Sequence, residues 1–267
     1  MAADAPSRLA VLAGRGDLPL QVAAREADSF VVTFQGVDTD AHPDYEARFE
    51  KLGGLFKELH KQGVKRVCFA GGLRRPALNP LRFDATMMRL APRLIAAMKG
   101  GDDHILRIVV EVFEDAGFTV VGAHEICPEI LATEGLIAGE APTEQALRDM
   151  DRAHAILTAL SPVDVGQGCV VANGLCYGIE TIQGTDAMLS FIAQNTLSRQ
   201  GVLMKRAKVG QELRVDMPAI GPETLHGAHS AGLAGVVVQA GQVMIVDPAE
   251  TCALAKELGL FIYGEAR

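Results

Sequence analysis

The first structural unit of the chain begins with Leu9-Ala-Val-Leu-Ala-Gly-Arg-Gly-Asp-Leu-Pro19. Five apolar residues end in a glycine-rich turn, and a helix-like segment over residues 20–27 leads to a second apolar run at 30–34. This order predicts a βαβ unit, in which the turn lies where a parallel sheet usually meets its ligand. Pro19 occupies the third glycine position of a dinucleotide fingerprint, and the Lys-Ser/Thr pair of a P-loop is absent. A tight turn that uses glycine for backbone reasons alone is the alternative.

Apolar runs and helix-like segments continue to alternate, which is the pattern of an α/β protein. We expect strands at residues 64–70, 118–122, 169–173, 175–180, 201–204 and 260–263, and a β-hairpin from 236–239 and 243–246. We expect helices at 53–62, 86–98, 105–116, 144–160 and 253–258. The length of 267 residues favours two domains. Because glycine and proline mark 135–143 as a connection, we place the domains at 1–135 and 149–267, with a linker at 136–148.

The composition argues against several classes of protein. A net charge of −8 and a pI near 5.4 argue against a nucleic-acid partner, since that partner requires a basic surface. The five cysteines are scattered, form no CxxC pair and lie mostly in apolar runs, as expected of buried thiols in a reducing compartment. We find neither a signal peptide nor a run of about 18 apolar residues, so we expect a cytoplasmic protein that does not span a membrane.

The densest polar chemistry lies between Glu180 and Asp216. Carboxylates suited to a hard divalent cation alternate there with cations suited to phosphate, and a phosphoryl-transfer site needs both kinds of group. The carboxylates are Glu180, Asp186, Glu212 and Asp216, and the cations are Lys205, Lys208 and Arg214. Thr185 or Asp186 can cap the apolar helix that Gly184 begins, and the N–H groups at its start favour an anion. A solvated surface with ordinary ion pairs is the alternative.

Three other polar turns are candidates for ligand contacts. They contain Gly71, Gly72, Arg74 and Arg75 in the first, Asp102 and Asp103 in the second, and Gln167 in the third. The first turn ends a predicted strand, where open α/β sheets bind ligands, although plain surface arginines are the alternative. The second turn precedes a helix, so an N-cap is its simplest role, and a ribose or base is the other. The side chain of the third turn hydrogen-bonds either a ligand or its own loop.

Other catalytic constellations have little support. His226 and His229 lie three residues apart, but no third ligand accompanies them to hold zinc. A Ser-His-Asp hydrolase is unsupported because the sequence contains no GxSxG elbow. Cys169 and Cys176 lie inside apolar strands, which are a poor setting for a thiolate nucleophile.

Seven short segments together resemble one protein family. They are Ala13-Gly-Arg-Gly-Asp-Leu-Pro19, Phe69-Ala-Gly-Gly-Leu-Arg-Arg-Pro76, Gly101-Asp-Asp-His-Ile-Leu106, Asp164-Val-Gly-Gln167, Gly184-Thr-Asp-Ala-Met-Leu189, the run from Lys205 to Asp216, and Pro218-Ala-Ile-Gly221. In this order they resemble the LpxI family of UDP-2,3-diacylglucosamine pyrophosphatases. The resemblance implies an enzyme of lipid A synthesis that uses water to split its substrate into UMP and 2,3-diacylglucosamine 1-phosphate, or lipid X. It also implies Mg²⁺, with Mn²⁺ as a substitute, a Rossmann-like N-terminal domain with a parallel sheet, and a family-specific α/β C-terminal domain.

The resemblance and the residue chemistry together assign roles. The expected catalytic residues are Asp216, Asp186, Lys205 and Arg214, and the expected Mg²⁺ ligands are Asp186, Asp216 and Glu180. The nucleotide is expected to contact Gly14, Arg15, Gly16, Asp17, Gly71, Gly72, Arg74, Arg75, Asp102 and Asp103. The phosphates and acyl chains are expected to contact Gln167, Thr185, Lys208, Gln211 and Met188, although for Met188 a plain core position is the alternative. The chain has Gln183 and Glu212 where the family pattern has an acid and an Asp, so Gln183 receives no metal role and Glu212 ranks below Asp216.

Two other function classes stay open at this point. An NAD(P)-dependent oxidoreductase would use the first βαβ unit, but Pro19 argues against it. A non-enzymatic nucleotide or lipid carrier would explain clefts without using the carboxylates. An amphiphilic substrate is compatible with peripheral contact at the inner membrane, although no amphipathic basic helix demands it. A homodimer is also compatible with the sequence.

Overall fold

The computed structural model describes residues 7–73, 76–97, 102–195 and 200–266, except the side chains of Asp102 and Asp103. The chain divides into two compact units. Unit 1 comprises Met1–Pro128 and Arg214–Asp216, and unit 2 comprises Glu129–Leu213 and Met217–Arg267. Both units mix helices and strands, which confirms the predicted α/β class.

Unit 1 is built on a parallel five-stranded sheet. Its elements are β1 Arg8–Ala13, α1 Leu18–Arg25, β2 Phe30–Phe34, β3 Tyr45–Ala47, α2 Leu52–Lys61, β4 Val64–Ala70, α3 Ala85–Ala97, α4 Asp102–Asp115, β5 Thr119–Val121 and α5 Ala123–Ile126. The strand order is β3-β2-β1-β4-β5, and every pair is parallel. This is the order of the first five strands of a Rossmann sheet, with the change of direction between β1 and β4. The predicted Rossmann-like N-terminal domain is therefore confirmed.

The apolar runs of unit 1 form strands because the sheet buries them. Leu9 to Ala13 are all at most 3% exposed. An aromatic group of Phe56, Phe113 and Phe118 packs beside the sheet, with Phe56 and Phe113 in an edge contact at a ring separation of 5.1 Å. Pro19 lies in the first turn of α1, where a missing N–H costs the helix no hydrogen bond. The residue that argues against a dinucleotide fingerprint is thus well placed to begin a helix.

Unit 2 contains a six-stranded mixed sheet and a separate pair of strands. Its elements are β6 Gly135–Ala138, α6 Glu144–Leu160, β7 Gly168–Ala172, β8 Leu175–Ile179, α7 Gly184–Asn195, β9 Val202–Lys205, β10 Ala219–Ile220, α8 Pro222–Ser230, β11 Gly235–Gln239, β12 Met244–Ile245, α9 Pro248–Glu257 and β13 Phe261–Glu265. The large sheet has the order β6-β13-β11-β9-β7-β8. Its centre, β9, β11 and β13, is parallel, whereas β6, β7 and β8 pair antiparallel at the edges.

Two cores cover the opposite faces of this sheet. Neighbouring residues alternate between them, so that Val170 packs with α7 and α8 while Val171 packs with α6. This period of two is what a strand buried on both faces produces. Thr143 begins α6 by accepting a hydrogen bond at its hydroxyl from the Ala146 N–H, at 3.2 Å.

Two predictions about unit 2 are wrong. The expected hairpin does not form, because β11 pairs with β9 and β13, whereas β12 pairs in parallel with β10 in the two-stranded sheet. All five residues of β11 are buried, which suits a central parallel strand rather than a hairpin arm. The segment expected to be only a connection contains β6, which pairs with β13.

The exact domain boundaries stay a prediction. Within the described ranges, no helix combines the length and the apolarity that crossing a membrane would require.

Candidate functional site

A chain of three polar side chains links the end of β9 to the start of α7 in unit 2. The Lys205 ammonium donates to the hydroxyl of Thr185 at 2.9 Å, and that hydroxyl donates to Oε2 of Glu180 at 3.1 Å. Lys205 also donates to the backbone carbonyl of Ala219 at 3.2 Å. Both Lys205 and Thr185 are 8% exposed, so these hydrogen bonds replace water that the two groups lose on folding. The structure therefore brings together three of the residues that the sequence singled out.

Gly168 leaves the space that one carboxylate oxygen of Glu180 occupies. Gly168 begins β7 beside the end of β9, and its carbonyl accepts the Glu180 N–H at 2.8 Å. A Cβ atom at Gly168 would lie 2.7 Å from Oε2 of Glu180. Because that distance is too short for a real contact, glycine here is what allows the carboxylate to reach Thr185.

Asp186 lies in the first turn of α7 and lines a cleft between α7 and α8. The cleft has a volume of 280 Å³, and Ser190, Glu223 and Ser230 also line it. Gly227 permits the close approach of the two helices, since a Cβ atom there would lie 2.9 Å from a methyl of Leu189. Asp186 is exposed and makes no hydrogen bond or ion pair with another described residue. Its carboxylate is therefore available to an external cation.

Lys208 and Gln211 are held in one loop by the segment before β7. The Lys208 ammonium forms an ion pair with Asp164. Oε1 of Gln211 accepts the Lys208 N–H at 2.9 Å, and the backbone carbonyl of Gln167 accepts the Arg206 N–H at 2.9 Å. The charge of Lys208 is thus matched within the protein, so a phosphate would have to compete with Asp164 for it.

The last three residues of the polar stretch belong to unit 1. Val215 packs against the core of that unit, and Arg214 donates to Oε1 of Glu114 at 2.8 Å and to the Val120 carbonyl at 3.5 Å. Asp216 is half-buried. The run from Lys205 to Asp216 is therefore divided, because its residues up to Leu213 belong to unit 2. The guanidinium of Arg214 has a structural partner that the sequence did not reveal.

The two glycine turns of unit 1 are paired through their backbones. The Arg15 N–H donates to the Gly72 carbonyl at 2.9 Å, and the Gly72 N–H donates to the Arg15 carbonyl at 3.1 Å. A Cβ atom at Gly14 would lie 2.6 Å from the Gly72 oxygen, so this contact requires glycine. The pairing leaves the side chains of Arg15 and Asp17 exposed at the carboxyl ends of β1 and β4. Gly71 and Gly16 both have a positive φ, so the backbone alone accounts for these glycines.

Several predicted contact residues cannot be placed, and one is in the core. Arg74 and Arg75 lie outside the described residues, as do the side chains of Asp102 and Asp103, which begin α4. Met188 is 8% exposed and packs in the core with Leu189 and Ile192, as its alternative interpretation expected. Phe191 is 61% exposed. Of the apolar residues on α7, Phe191 is therefore better placed than Met188 to meet an acyl chain.

Comparison with known proteins now gives a family. A model of the LpxI N-terminal domain matches residues 8–130, and a model of the LpxI C-terminal domain matches residues 133–263. The chain belongs to the LpxI family. It is similar to a protein of Caulobacter vibrioides named UDP-2,3-diacylglucosamine pyrophosphatase LpxI, with 37% identity over 271 residues. That similarity covers 96% of this chain and 97% of the relative. The resemblance read from the short segments is confirmed.

The donor set of this LpxI-family chain suits a cation that keeps much of its own water. In the described part of the chain, no three His, Cys, Asp or Glu side chains are grouped as a ready metal site. Mg²⁺ typically keeps several waters and binds only one or two protein carboxylates. The exposed carboxylate of Asp186 and the hydrogen-bonded carboxylate of Glu180 are oxygen donors of that kind. The predicted roles of these residues as ligands stay predictions.

Two buried cysteines, Cys68 and Cys169, have surroundings that disfavour the thiolate form. Burial raises the pKa of Cys68 and of Cys169 to about 12 in each case. A thiol with that pKa is protonated at neutral pH, and the thiolate is the reactive form. The surroundings of Cys169 therefore agree with the sequence-based interpretation that this cysteine is a poor nucleophile.

The sequence analysis missed one polar cluster on the α6 side of unit 2. His154 on α6 and Glu265 at the end of β13 are 2.7 Å apart through Nδ1 and Oε2. Arg206 lies 3.3 Å from both nitrogens of the same ring and donates to the Thr158 hydroxyl at 2.8 Å. Glu265 is only 6% exposed. The sequence does show that Glu265 ends an apolar strand. An acid in such a position is rarely buried unless it has a partner.

Proposed function

We propose that this chain hydrolyses the pyrophosphate bond of UDP-2,3-diacylglucosamine to give UMP and 2,3-diacylglucosamine 1-phosphate. The observation that carries the proposal is 37% identity to a protein named as this pyrophosphatase, over nearly the full length of both chains. Matches to both LpxI domain models support it. Family membership favours this hydrolase over the oxidoreductase and the carrier that the sequence left open.

The buried ammonium of Lys205 gives unit 2 a fixed positive charge. A pyrophosphate diester resists water because its oxygens are already anionic, so a catalyst must stabilise the charge that develops as the bond breaks. Lys205 is held by Thr185 and Ala219, so it would offer this charge without rearranging. Thr185 would share its hydroxyl between the ammonium and Glu180, which keeps the carboxylate oriented.

Asp186, Glu180 and Asp216 are the proposed ligands of Mg²⁺, and Mn²⁺ is the proposed substitute. A bound divalent cation would supply charge neutralisation and a water of lowered pKa. The carboxylate of Asp186 is exposed and has no partner among the described residues, which supports its part in this set. Arg214 and Lys208 would contact phosphate after leaving Glu114 and Asp164, their partners in the structure.

Nucleotide contacts are proposed at the paired glycine turns of unit 1. Arg15 and Asp17 are exposed beside that pairing, at the carboxyl ends of β1 and β4, where the strand order changes direction. Ligands of open α/β sheets bind at this edge. Cytoplasmic location, contact with the inner membrane and a homodimer stay predictions from the sequence.

The deciding experiment incubates the purified chain with UDP-2,3-diacylglucosamine and identifies the products by mass spectrometry. Parallel reactions contain Mg²⁺, Mn²⁺, or EDTA without added metal. We expect UMP and 2,3-diacylglucosamine 1-phosphate with Mg²⁺ and none with EDTA. Undiminished release of UMP in EDTA would refute the metal requirement but not the proposed hydrolysis. If the substrate binds but no UMP forms with any cation, the chain is a carrier and the proposed function is wrong. Running the reaction in ¹⁸O-water would show which phosphate receives the solvent oxygen.

A further inference from the structure

Unit 1 contains a cavity of 830 Å³ that none of the predicted site residues lines. It lies where β2 and β3 end, since Gln35 follows β2, Arg48 follows β3, and both residues line it. Small-molecule sites typically have volumes of about 300 to 1,000 Å³. The cavity is thus larger than one inorganic phosphate requires, and it lies at the ligand-binding edge of a parallel sheet.

Three cations line this cavity, and none of them has a partner among the residues that the structure describes. Arg48, Lys51 and Arg82 are exposed there, and none of their side chains makes a hydrogen bond or ion pair with another described residue. Two other arginines of unit 1, Arg66 and Arg93, pair with carboxylates instead. The chain carries a net charge of −8, so a cluster of unpaired cations runs against its overall charge.

The acid in the cavity wall is engaged by backbone N–H groups. Both oxygens of Asp84 accept backbone N–H groups, from Gly54 at 3.2 Å and from Met87 at 2.7 Å. Asp84 therefore helps to begin α2 and α3, and its charge is stabilised by those helix starts. No ion pair between Asp84 and Lys51, Arg48 or Arg82 occurs among the described residues.

Local hydrogen bonds hold the wall of the cavity in place. Asn79 caps the short turn Pro80–Arg82 by accepting the Leu81 N–H at 3.1 Å. The carbonyl of Glu50 accepts the Asp84 N–H at 3.1 Å, which ties this turn to the segment before α2. The cations are therefore presented by two segments that are fastened to each other rather than by one isolated loop.

We propose that this cavity binds a phosphate-bearing ligand through Arg48, Lys51 and Arg82. Guanidinium groups bind phosphate oxygens in pairs, and an ammonium adds a compact charge. The phosphate belongs either to a nucleotide, in which case the inference rests on the proposed function, or to the headgroup of an anionic phospholipid. Phe83 and the almost fully exposed Leu81 add an apolar contact surface that either source would use.

The test compares three full-length proteins. The first is the wild type, and the second carries Arg48→Gln, Lys51→Gln and Arg82→Gln. The third is a charge-matched control with Lys57→Gln, Lys65→Gln and Arg152→Gln, which are exposed positions outside the cavity. Binding is measured by calorimetry with UMP and with inorganic phosphate, and by co-sedimentation with vesicles of phosphatidylglycerol or phosphatidylcholine. Thermal unfolding checks that each protein is folded, and the three single variants replace the triple variant if it is not.

We expect the wild type and the control to bind UMP or phosphatidylglycerol vesicles. The cavity variant should lose at least about tenfold in affinity, because charge-assisted hydrogen bonds are removed. If the cavity variant loses affinity for UMP, the ligand is a nucleotide. If it loses affinity for phosphatidylglycerol vesicles but not for UMP, the ligand is a lipid headgroup. The inference is overturned if no probe binds the wild type, or if both triple variants bind equally. Hydrolysis of UDP-2,3-diacylglucosamine is measured separately, so phosphate binding without turnover would reject the proposed function and keep this site.

Discussion

Lys205 at the end of β9 and Thr185 at the start of α7 are joined by a hydrogen bond of 2.9 Å between two buried side chains. A buried ammonium is stable only if its protons are satisfied, and Thr185 supplies one of its two observed acceptors. Thr185 in turn orients Glu180. One hydroxyl therefore connects the buried ammonium to the carboxylate.

Replacing Thr185 by valine removes that hydroxyl and keeps the shape of the side chain. We expect Thr185→Val to lower the free energy of unfolding by about 1–3 kcal/mol, because a buried donor loses its acceptor. We also expect turnover of UDP-2,3-diacylglucosamine to fall, since Lys205 loses one of its two acceptors and Glu180 loses the Thr185 donor. Thr185→Ser keeps the hydroxyl and is the control, which should retain most of both quantities. Denaturant unfolding and product release measure the two effects, and equal behaviour of valine and serine would contradict the role of the hydroxyl.

Asp216→Ala tests the proposed catalytic role of that carboxylate. If the carboxylate acts in the reaction as proposed, we expect turnover to fall by about 10² or more while substrate still binds. Asp38→Ala, at an exposed aspartate outside the proposed site, is the matched control. Steady-state kinetics and substrate binding are measured for both. Near wild-type turnover in Asp216→Ala would remove the residue from the mechanism.

The ion pair between Arg214 and Glu114 allows two roles of the arginine to be tested separately, namely pairing with Glu114 and acting on phosphate. Both side chains are partly exposed, at 33% and 43%, so the pair should contribute only about 0–1 kcal/mol to stability. Glu114→Gln should therefore leave both the melting temperature and turnover close to the wild type. Arg214→Gln should lower turnover by about 10² or more if the guanidinium acts on phosphate. If the two variants lose activity to the same extent, the arginine acts only through its partner.

The surroundings of His124 on α5 predict that the stability of the chain depends on pH. Its pKa is lowered chiefly because burial disfavours the charged ring, while the nearby Glu125 acts in the opposite direction. Folding therefore favours the neutral ring. The stability that this provides is complete above the unfolded pKa of about 6.5 and is lost as the pH falls through the lower folded pKa.

We expect the melting temperature of the wild type to fall between about pH 7 and pH 5 by more than that of His124→Gln, which cannot be protonated in this range. The matched control is His42→Gln, at an exposed histidine on the same unit. That control should keep the pH dependence of the wild type. Identical slopes for wild type and His124→Gln would show that another group is responsible.

Secondary structure was predicted best for elements whose buried residues follow a regular spacing within the element itself. β2, β4 and α6 were predicted at their observed bounds, because their apolar residues are buried with a period that is visible locally. β3, with the three residues Tyr45–Ala47, was missed, since so short a strand forms only because β2 offers it a parallel edge. The hairpin over β11 and β12 was wrong for a related reason. Each strand has the composition of a hairpin arm, but its partners lie elsewhere in the chain.

The sequence reached the candidate site only in part. It singled out Glu180, Thr185 and Lys205, because unlike polar groups in an apolar region are conspicuous, and the structure joins all three. It did not find that Glu114 pairs with Arg214, which lies 100 residues away in the chain. The cavity cations Arg48, Lys51 and Arg82 were missed as well, since each looks like an ordinary surface residue.

By itself the amino-acid sequence determined the α/β class, the βαβ opening of unit 1, the family, and the kinds of chemical group available. These follow from periodicity, composition and short motifs, which are local properties of the chain. Only the tertiary structure decided which charges are matched by a partner and which are left for a ligand. Lys208 meets Asp164, whereas Arg48, Lys51 and Arg82 face a cavity together. The physical reason is that Coulomb energies and hydrogen bonds depend on distances of a few ångströms in space, and the folded chain sets those distances independently of separation in sequence.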